Sequence, residues 1–574
     1  MTDHNIKRAI TTTLALVALI PSGFFTVDTW GGDDTSGAKT SLSVLDMIEN
    51  DLLKGVITLE EKTLLEVRAI RDPQSLPDSY KISTTFASSE IILSGRCATG
   101  ALLEALRLAP TLSAGAQKEL SQLMARPSKQ FSYDSPGGNF KIHYNDTGLH
   151  AVSPIDSNSN GFPDYVERIA IYADSSWNKQ IVEMNYAPPP SDGTNGGDSK
   201  IDIYLLEMDF YGYTQPEDSA SEAWNDYTSY MACHRDFIGF PQNTDPEGNP
   251  AGAAKVTMAH EFQHVIQFGY DVFEELWFLE ATATWMEEVV FDAVNDNYNY
   301  LLEYYDWPQK SLRDSSLHMY GSFVWPLYLE QRFDSDLMRK AWEGSKFGSA
   351  MTTLEGALPI SHGVSRDDAI YEFFLWVYLA NSRDDGAHFE EATVYPNLRT
   401  SKTWTSYPQV DKSSTTHPGG YGASLVRFDP NGNFGRLKIS FDGIDAVKWG
   451  VWVVATRNSN QHSFISLSLD QNGFGTAFVD SMEVFDDITM IAVNLDLLSG
   501  ASTFSYTAEV LDYAAISGTV VSDSTAYTLF PNKIGFRLTN LSSTPDSFDI
   551  SASETRGWPL TADQIPTIHL AAGE

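Results

Sequence analysis

Cysteine is almost missing from this chain. Two residues among 574, Cys97 and Cys233, exclude a scaffold stapled by several disulfides and leave room for one bridge at most. Basic residues are also scarce: Lys and Arg total 38 against 76 Asp and Glu, and the formal charge of −38 opposes any phosphate-backbone partner while favouring solubility and divalent cations. Nucleic acid is therefore not an expected partner. Such acidity is also common in proteins from saline surroundings. Long hydrophobic runs are lacking too. The apolar stretch Ala9 to Ile20, behind the basic Lys7-Arg8, falls short of the ~20 residues needed to span a bilayer and reads as the core of a secretory signal over residues 1–28. No later run reaches spanning length, so a monomeric protein outside the cytoplasm is expected.

What is present is organised around Met258-Ala-His260-Glu261-Phe-Gln-His264-Val-Ile-Gln-Phe268. Two histidines four apart on a helix project from one face about a turn apart, so both imidazoles reach one metal ion, and Glu261 between them can touch a water at that ion. This is the HExxH arrangement for Zn²⁺. A catalytic zinc also needs a third protein ligand and one open position. A continuation to HxxGxxH fails, because positions 267 and 270 hold Gln267 and Tyr270. Asp271 offers a carboxylate but follows Gly269-Tyr270, where Asp commonly caps or turns the chain. Glu280 is the stronger candidate. It sits in a second helical run, Trp277 to Glu288, after a loop short enough to bring that run back against the first.

A second metal signal precedes the first. Asp156-Ser-Asn158-Ser-Asn160-Gly161-Phe162-Pro-Asp164-Tyr-Val-Glu167 fits the calcium-loop pattern at every defined position, with oxygen side chains at Asp156, Asn158 and Asn160, Gly161 at the turn, the Phe162 carbonyl, then Asp164 and Glu167. The other reading is an Asx-rich turn capping the helix that follows. No helix leads into the loop, so Ca²⁺ here would stabilise rather than signal.

With these residues in hand, Trp277-Phe-Leu-Glu280-Ala-Thr-Ala283 resembles the glutamate-bearing second helix of gluzincin-type HExxH zinc metallopeptidases, with Ala281 where that family often has Gly. The wider chain resembles secreted bacterial metalloproteases with a helical pro-region and C-terminal β-sandwich domains. The resemblance implies zinc on His260, His264 and Glu280, with Glu261 as general base and then acid in hydrolysis of protein or peptide substrates. It also implies an oxyanion donor downstream, Tyr320 or His318, and an edge strand beside the cleft, for which Tyr230 to Phe237 is the candidate. Arg96-Cys97 resembles the cysteine-switch segment of some zinc proteases; a disulfide to Cys233 and a plain buried thiol are the alternatives. The Gly-x-Met-Glu-Asn-type segment of aminopeptidases is lacking. The competing reading is a surface- or polysaccharide-binding protein that keeps a non-catalytic structural zinc.

The fold class expected is α+β: a zincin-like catalytic domain with a helical N-terminal region and C-terminal all-β, sandwich or immunoglobulin-like, domains. Helical patterns occupy 29–133, among them a capping box at Thr58 to Glu61, with a short strand-like run at Glu90 to Leu93. The catalytic domain is expected over 134–412. Alternating strands with Gly, Asn and Asp turns then indicate a β-sandwich over 415–513 and a partial immunoglobulin-like domain over 516–574, possessing too few strands to be whole.

Overall fold

The computed structural model describes residues 44–81, 96–221 and 223–511, together with the backbone of four short strands between 516 and 570. The stretch expected to be a secretory signal and the run at Glu90 to Leu93 lie outside the described residues. Both helices and sheets are present, as the α+β reading requires. Among the described residues, no helix is long and apolar enough to cross a membrane.

Four helices open the described chain: α1 (Val44–Leu53), α2 (Leu59–Arg71), α3 (Thr99–Leu108) and α4 (Ala114–Leu123). The capping box holds α2, since the Thr58 hydroxyl accepts from the Glu61 N–H at 3.2 Å and Glu61 accepts from the Thr58 N–H at 2.8 Å. The apolar faces of α2, α3 and α4 pack on the aromatic side chains of Tyr204, Tyr213 and Tyr230.

Those tyrosines belong to a mixed sheet built from β1 (Phe131–Asp134), β2 (Phe140–Tyr144), β3 (Ile201–Leu206), β4 (Gly212–Ser219) and β5 (Tyr227–His234), with α5 (Asp164–Trp177) between β2 and β3. The order is β1-β2-β3-β5-β4. Here the structure corrects one expectation: Tyr230 to Phe237 is not an edge, because β5 is paired on both sides, parallel to β3 and antiparallel to β4. The edge is β4. Its sequence, Gly-Tyr-Thr-Gln-Pro-Glu-Asp-Ser, hides it, since Pro216 and two acids are read as loop but are tolerated on an edge.

Two buried helices, α6 (Asn249–Phe268) and α7 (Leu276–Phe291), lie against each other, and α6 also packs on β4 and β5. Phe262 anchors α6 by stacking on Trp177 and meeting the edge of Phe140. The helical half continues through α8 (Tyr298–Tyr305), α9 (His318–Gly321), α10 (Val324–Arg332), α11 (Asp336–Ser345), α12 (Ala350–His362) and α13 (Arg366–Tyr378).

A sandwich follows, with one sheet of five strands and one of four. Its strands are β6 (Lys402–Trp404), β7 (Gln409–Ser413), β8 (Ala423–Phe428), β9 (Arg436–Gly443), β10 (Trp449–Arg457), β11 (Gln461–Ser466), β12 (Phe474–Val479), β13 (Asp487–Asn494) and β14 (Phe504–Leu511). β6 and β7 join these sheets from before residue 415. The sandwich is no loose appendage: Tyr371 of α13 stacks on Trp452 of β10 and donates to the Val451 carbonyl at 2.7 Å. Past 511, β15 (Ile516–Val520) pairs with β16 (Phe536–Asn540), and β17 (Asp546–Phe548) with β18 (Ile568–Leu570).

Candidate metal centre

The helical spacing of His260 and His264 brings their Nε2 atoms within 3.2 Å of each other on one face of α6. Glu280, on the facing turn of α7, places Oε2 3.2 Å from His260 Nε2 and 3.7 Å from His264 Nε2. Cys97, just ahead of α3, brings Sγ to 3.5 Å from His264 Nε2. The four donor atoms lie within 4.8 Å of one another, and all four residues are buried. This group could hold a metal ion.

The hydrogen bonds around it say why a cation fits. His260 Nδ1 faces Glu287 Oε1 at 2.7 Å and His264 Nδ1 faces Gln267 Oε1 at 2.7 Å. Gln267 cannot reverse that role cheaply, since its amide N–H groups already donate to the Leu279 carbonyl and to Thr282 Oγ1, each at 3.0 Å. Both Nδ1 atoms therefore carry protons, and both Nε2 atoms face the Glu280 carboxylate. Glu280 Oε1 is buried with no hydrogen-bond partner. Two imidazole nitrogens and a carboxylate this close need a proton or a cation among them, and, against the effect of burial, the carboxylates of Glu280 and Glu261 raise His264 accordingly. Burial opposes charge on Glu280, yet the neighbouring histidines bring its carboxyl down to about 2. Burial takes His260 down to about 4, so its imidazole is neutral, as a metal ligand must be.

Replacing Gln267 with Leu should free the His264 ring and weaken metal affinity by about 10–100-fold, measured by chelator competition. Unchanged affinity would mean that Gln267 orients nothing.

Glu261 lies beside the centre, on the side of α6 that faces strand β4. Its Oε2 accepts from Thr214 Oγ1 at 2.8 Å and lies 3.4 Å from Thr99 Oγ1. Burial raises it to about 7. Strand β4 can run this close only because residue 212 has no side chain: a Cβ on Gly212 would meet the Ala232 carbonyl at 2.7 Å and Glu261 Oε1 at 3.0 Å.

No protein-family model matches the chain, and no curated protein does. What the centre can do follows from its own atoms.

The remaining candidates divide. Tyr320 is at the centre: its hydroxyl donates to the Cys97 carbonyl at 3.3 Å and its ring lies 6.4 Å from that of His260. His318 is occupied elsewhere, with Nδ1 2.8 Å from the Glu303 carbonyl and its ring stacked on Tyr304. Asp271 makes a turn, accepting from the Phe273 N–H and from Asn225 at 3.0 Å each. Glu287 and Glu288, which a helix surface would leave in water, are buried. Glu287 was legible only as a register relation, two turns along α7 from Glu280 on the same face.

Cys97 and Cys233 are both free thiols, so no bridge joins them. Burial and the Glu261 and Glu280 carboxylates push the Cys97 thiol well above its ordinary range. Arg96 beside it is buried against Glu287 and, at 2.7 Å, Asp296.

The second loop closes on itself. Asp156 accepts from the N–H groups of Asn160 and Gly161 at 3.2 and 2.9 Å, and Glu167 accepts from Asn158 and Asn160 at 3.1 and 2.7 Å. Asp164 accepts from Ser157 at 2.8 and 2.6 Å and opens α5. Gly161 has φ +93°, a turn that favours glycine.

Proposed function

We propose that the chain is a secreted zinc-dependent metalloendopeptidase. The observation that carries this reading is the convergence of His260 Nε2, His264 Nε2 and the Glu280 carboxylate beside a buried Glu261. A mixture of two imidazoles and one carboxylate suits Zn²⁺, which when bound supplies a Lewis acid that polarises a carbonyl and activates water. Glu261 takes the proton from the attacking water and returns it to the leaving amine. Thr214 fixes the carboxylate in place through the 2.8 Å bond from its hydroxyl. Tyr320 holds an O–H toward a carbonyl at the centre, the place where an oxyanion develops. Peptide or protein substrates then enter along β4, the sheet edge next to Glu261. The β-sandwich is read as a spacer or surface-contacting module.

One observation favours a second reading. Cys97 completes a four-residue set, and closed four-ligand sites are the structural kind. A surface-binding protein with a non-catalytic zinc would show it. Casein hydrolysis by the full chain, before and after limited proteolysis and beside Glu261→Gln, separates the two. Turnover that appears on proteolysis and is lost in the variant supports the peptidase; stoichiometric zinc with no turnover in any form supports the structural site.

We also propose that Asp156, Asn158, Asn160, the Phe162 carbonyl, Asp164 and Glu167 bind a stabilising Ca²⁺. Supporting this, the loop already gathers its side chains around Glu167. Added calcium is expected to raise the melting temperature of the parent by a few degrees and to leave Glu167→Gln unmoved, read by calorimetry. An equal shift in both would remove the site.

A further inference from the structure

We infer that Arg96–Thr99 is a built-in clamp that holds the metal centre closed by engaging each of its working parts at once. The inference rests on the metal-centre reading above and concerns its regulation. Four contacts carry it, and each falls on a different part of the machinery.

Cys97 Sγ stands with the His260, His264 and Glu280 donors, so it would be a fourth ligand to a metal that, for catalysis, needs one position free. The Cys97 carbonyl takes the Tyr320 hydroxyl at 3.3 Å, as a scissile carbonyl would. Thr99 Oγ1 lies 3.4 Å from Glu261 Oε2 and accepts the Thr214 N–H at 2.8 Å, so it covers the general base and the group that positions it. The backbone of the same residues pairs with the sheet edge: the Ala98 N–H donates to the Gly212 carbonyl at 3.1 Å and the Tyr211 N–H to the Arg96 carbonyl at 3.0 Å, a parallel bridge at the start of β4. An extended substrate would need that edge.

Arg96 is the anchor. It is buried, ion-paired to Glu287 and Asp296, and sandwiched between the rings of Tyr211 and Tyr300 at 5.0 and 4.8 Å. Glu287 is also the partner of His260 Nδ1, so the anchor and the metal ligand share one carboxylate. Lifting the segment therefore opens the metal position, the base, the strand edge and the second side of Glu287 together. With His260, Glu261, His264 and Glu280 all at 2 % exposure or less, the clamped chain admits no substrate.

The test replaces the bound metal of the full chain with Co²⁺. A thiolate on cobalt gives a near-ultraviolet charge-transfer band, expected in the parent and lost in Cys97→Ser with cobalt still bound. In a Cys233→Ala background, labelling of Cys97 by a disulfide reagent should accelerate by at least about tenfold once a chelator strips the metal. The parent spectrum decides even where a variant folds poorly. No band, or labelling equally fast with and without metal, overturns the clamp. Peptide hydrolysis then reads the enzyme reading separately. A gain in Cys97→Ser or Arg96→Met supports clamp and peptidase alike, whereas the band without a gain in either variant, before or after limited proteolysis, upholds Cys97 as ligand and sinks the peptidase.

Discussion

In the Cys97→Ser background, Glu261→Gln is expected to lower peptide-bond hydrolysis by about 10²–10⁴-fold while the metal stays bound. The amide keeps the size of the side chain and can still meet the Thr214 hydroxyl, which approaches Oε2 at 2.8 Å in the parent. What it loses is the capacity to take a proton. Because Glu261 lies next in sequence to His260 but is not among the metal donors, a loss of turnover with full metal content would assign it to proton transfer. Parallel loss of metal and activity would instead mean that the substitution had disturbed α6. The measurement is kcat for a quenched peptide, with zinc quantified on the same samples.

The second large effect belongs to Arg96. Replacing it with Met leaves Glu287 and Asp296 buried without their cation, and breaking a buried ion pair in this way costs about 3–5 kcal/mol. The carboxylates recover their solvation only if the segment lifts, so the cost falls on docking of residues 96–99. At about 1.4 kcal/mol per decade, Cys97 in Arg96→Met should label roughly 10²–10⁴-fold faster than in the parent. Arg96→Lys restores charge without the fork that reaches two carboxylates and should fall between them. Labelling at the parental rate in Arg96→Met would show that the segment is held by something other than this arginine.

Much of the centre was legible because helical periodicity is a strong constraint. His260, Glu261 and His264 had to share a face once the stretch was helical, and the short loop to Trp277 had to return Glu280 to them. The supporting shell was less visible. Gln267 is a turn beyond His264 and Glu287 two turns beyond Glu280, yet neither residue type announces a role until its neighbour is known. Thr214 and Thr99 were invisible for a different reason: they reach Glu261 from β4 and from the start of α3, far away in sequence.

The edge strand was misplaced because apolar alternation marks the buried strand, and β5 is the more apolar of the pair. β4 carries Pro216, Glu217 and Asp218, which belong on an edge but read as a turn. Cys97 had three open readings because a lone thiol says nothing about its neighbours. Geometry removes the disulfide, since the thiol is free and buried, and it sets the thiol with three residues that together could hold a metal ion. Of the two downstream candidates, Tyr320 and His318 lie on the same short helix two residues apart, so they face opposite ways, and only Tyr320 meets the centre.

The central claim is that Cys97, His260, His264 and Glu280 bind one metal together in the full chain. X-ray absorption at the zinc edge tests it most directly. The account predicts one sulfur at about 2.3 Å and a light-atom shell at about 2.0–2.2 Å with imidazole scattering. A zinc shell of nitrogen and oxygen alone, or a chain that retains no zinc after purification without chelators, would contradict it.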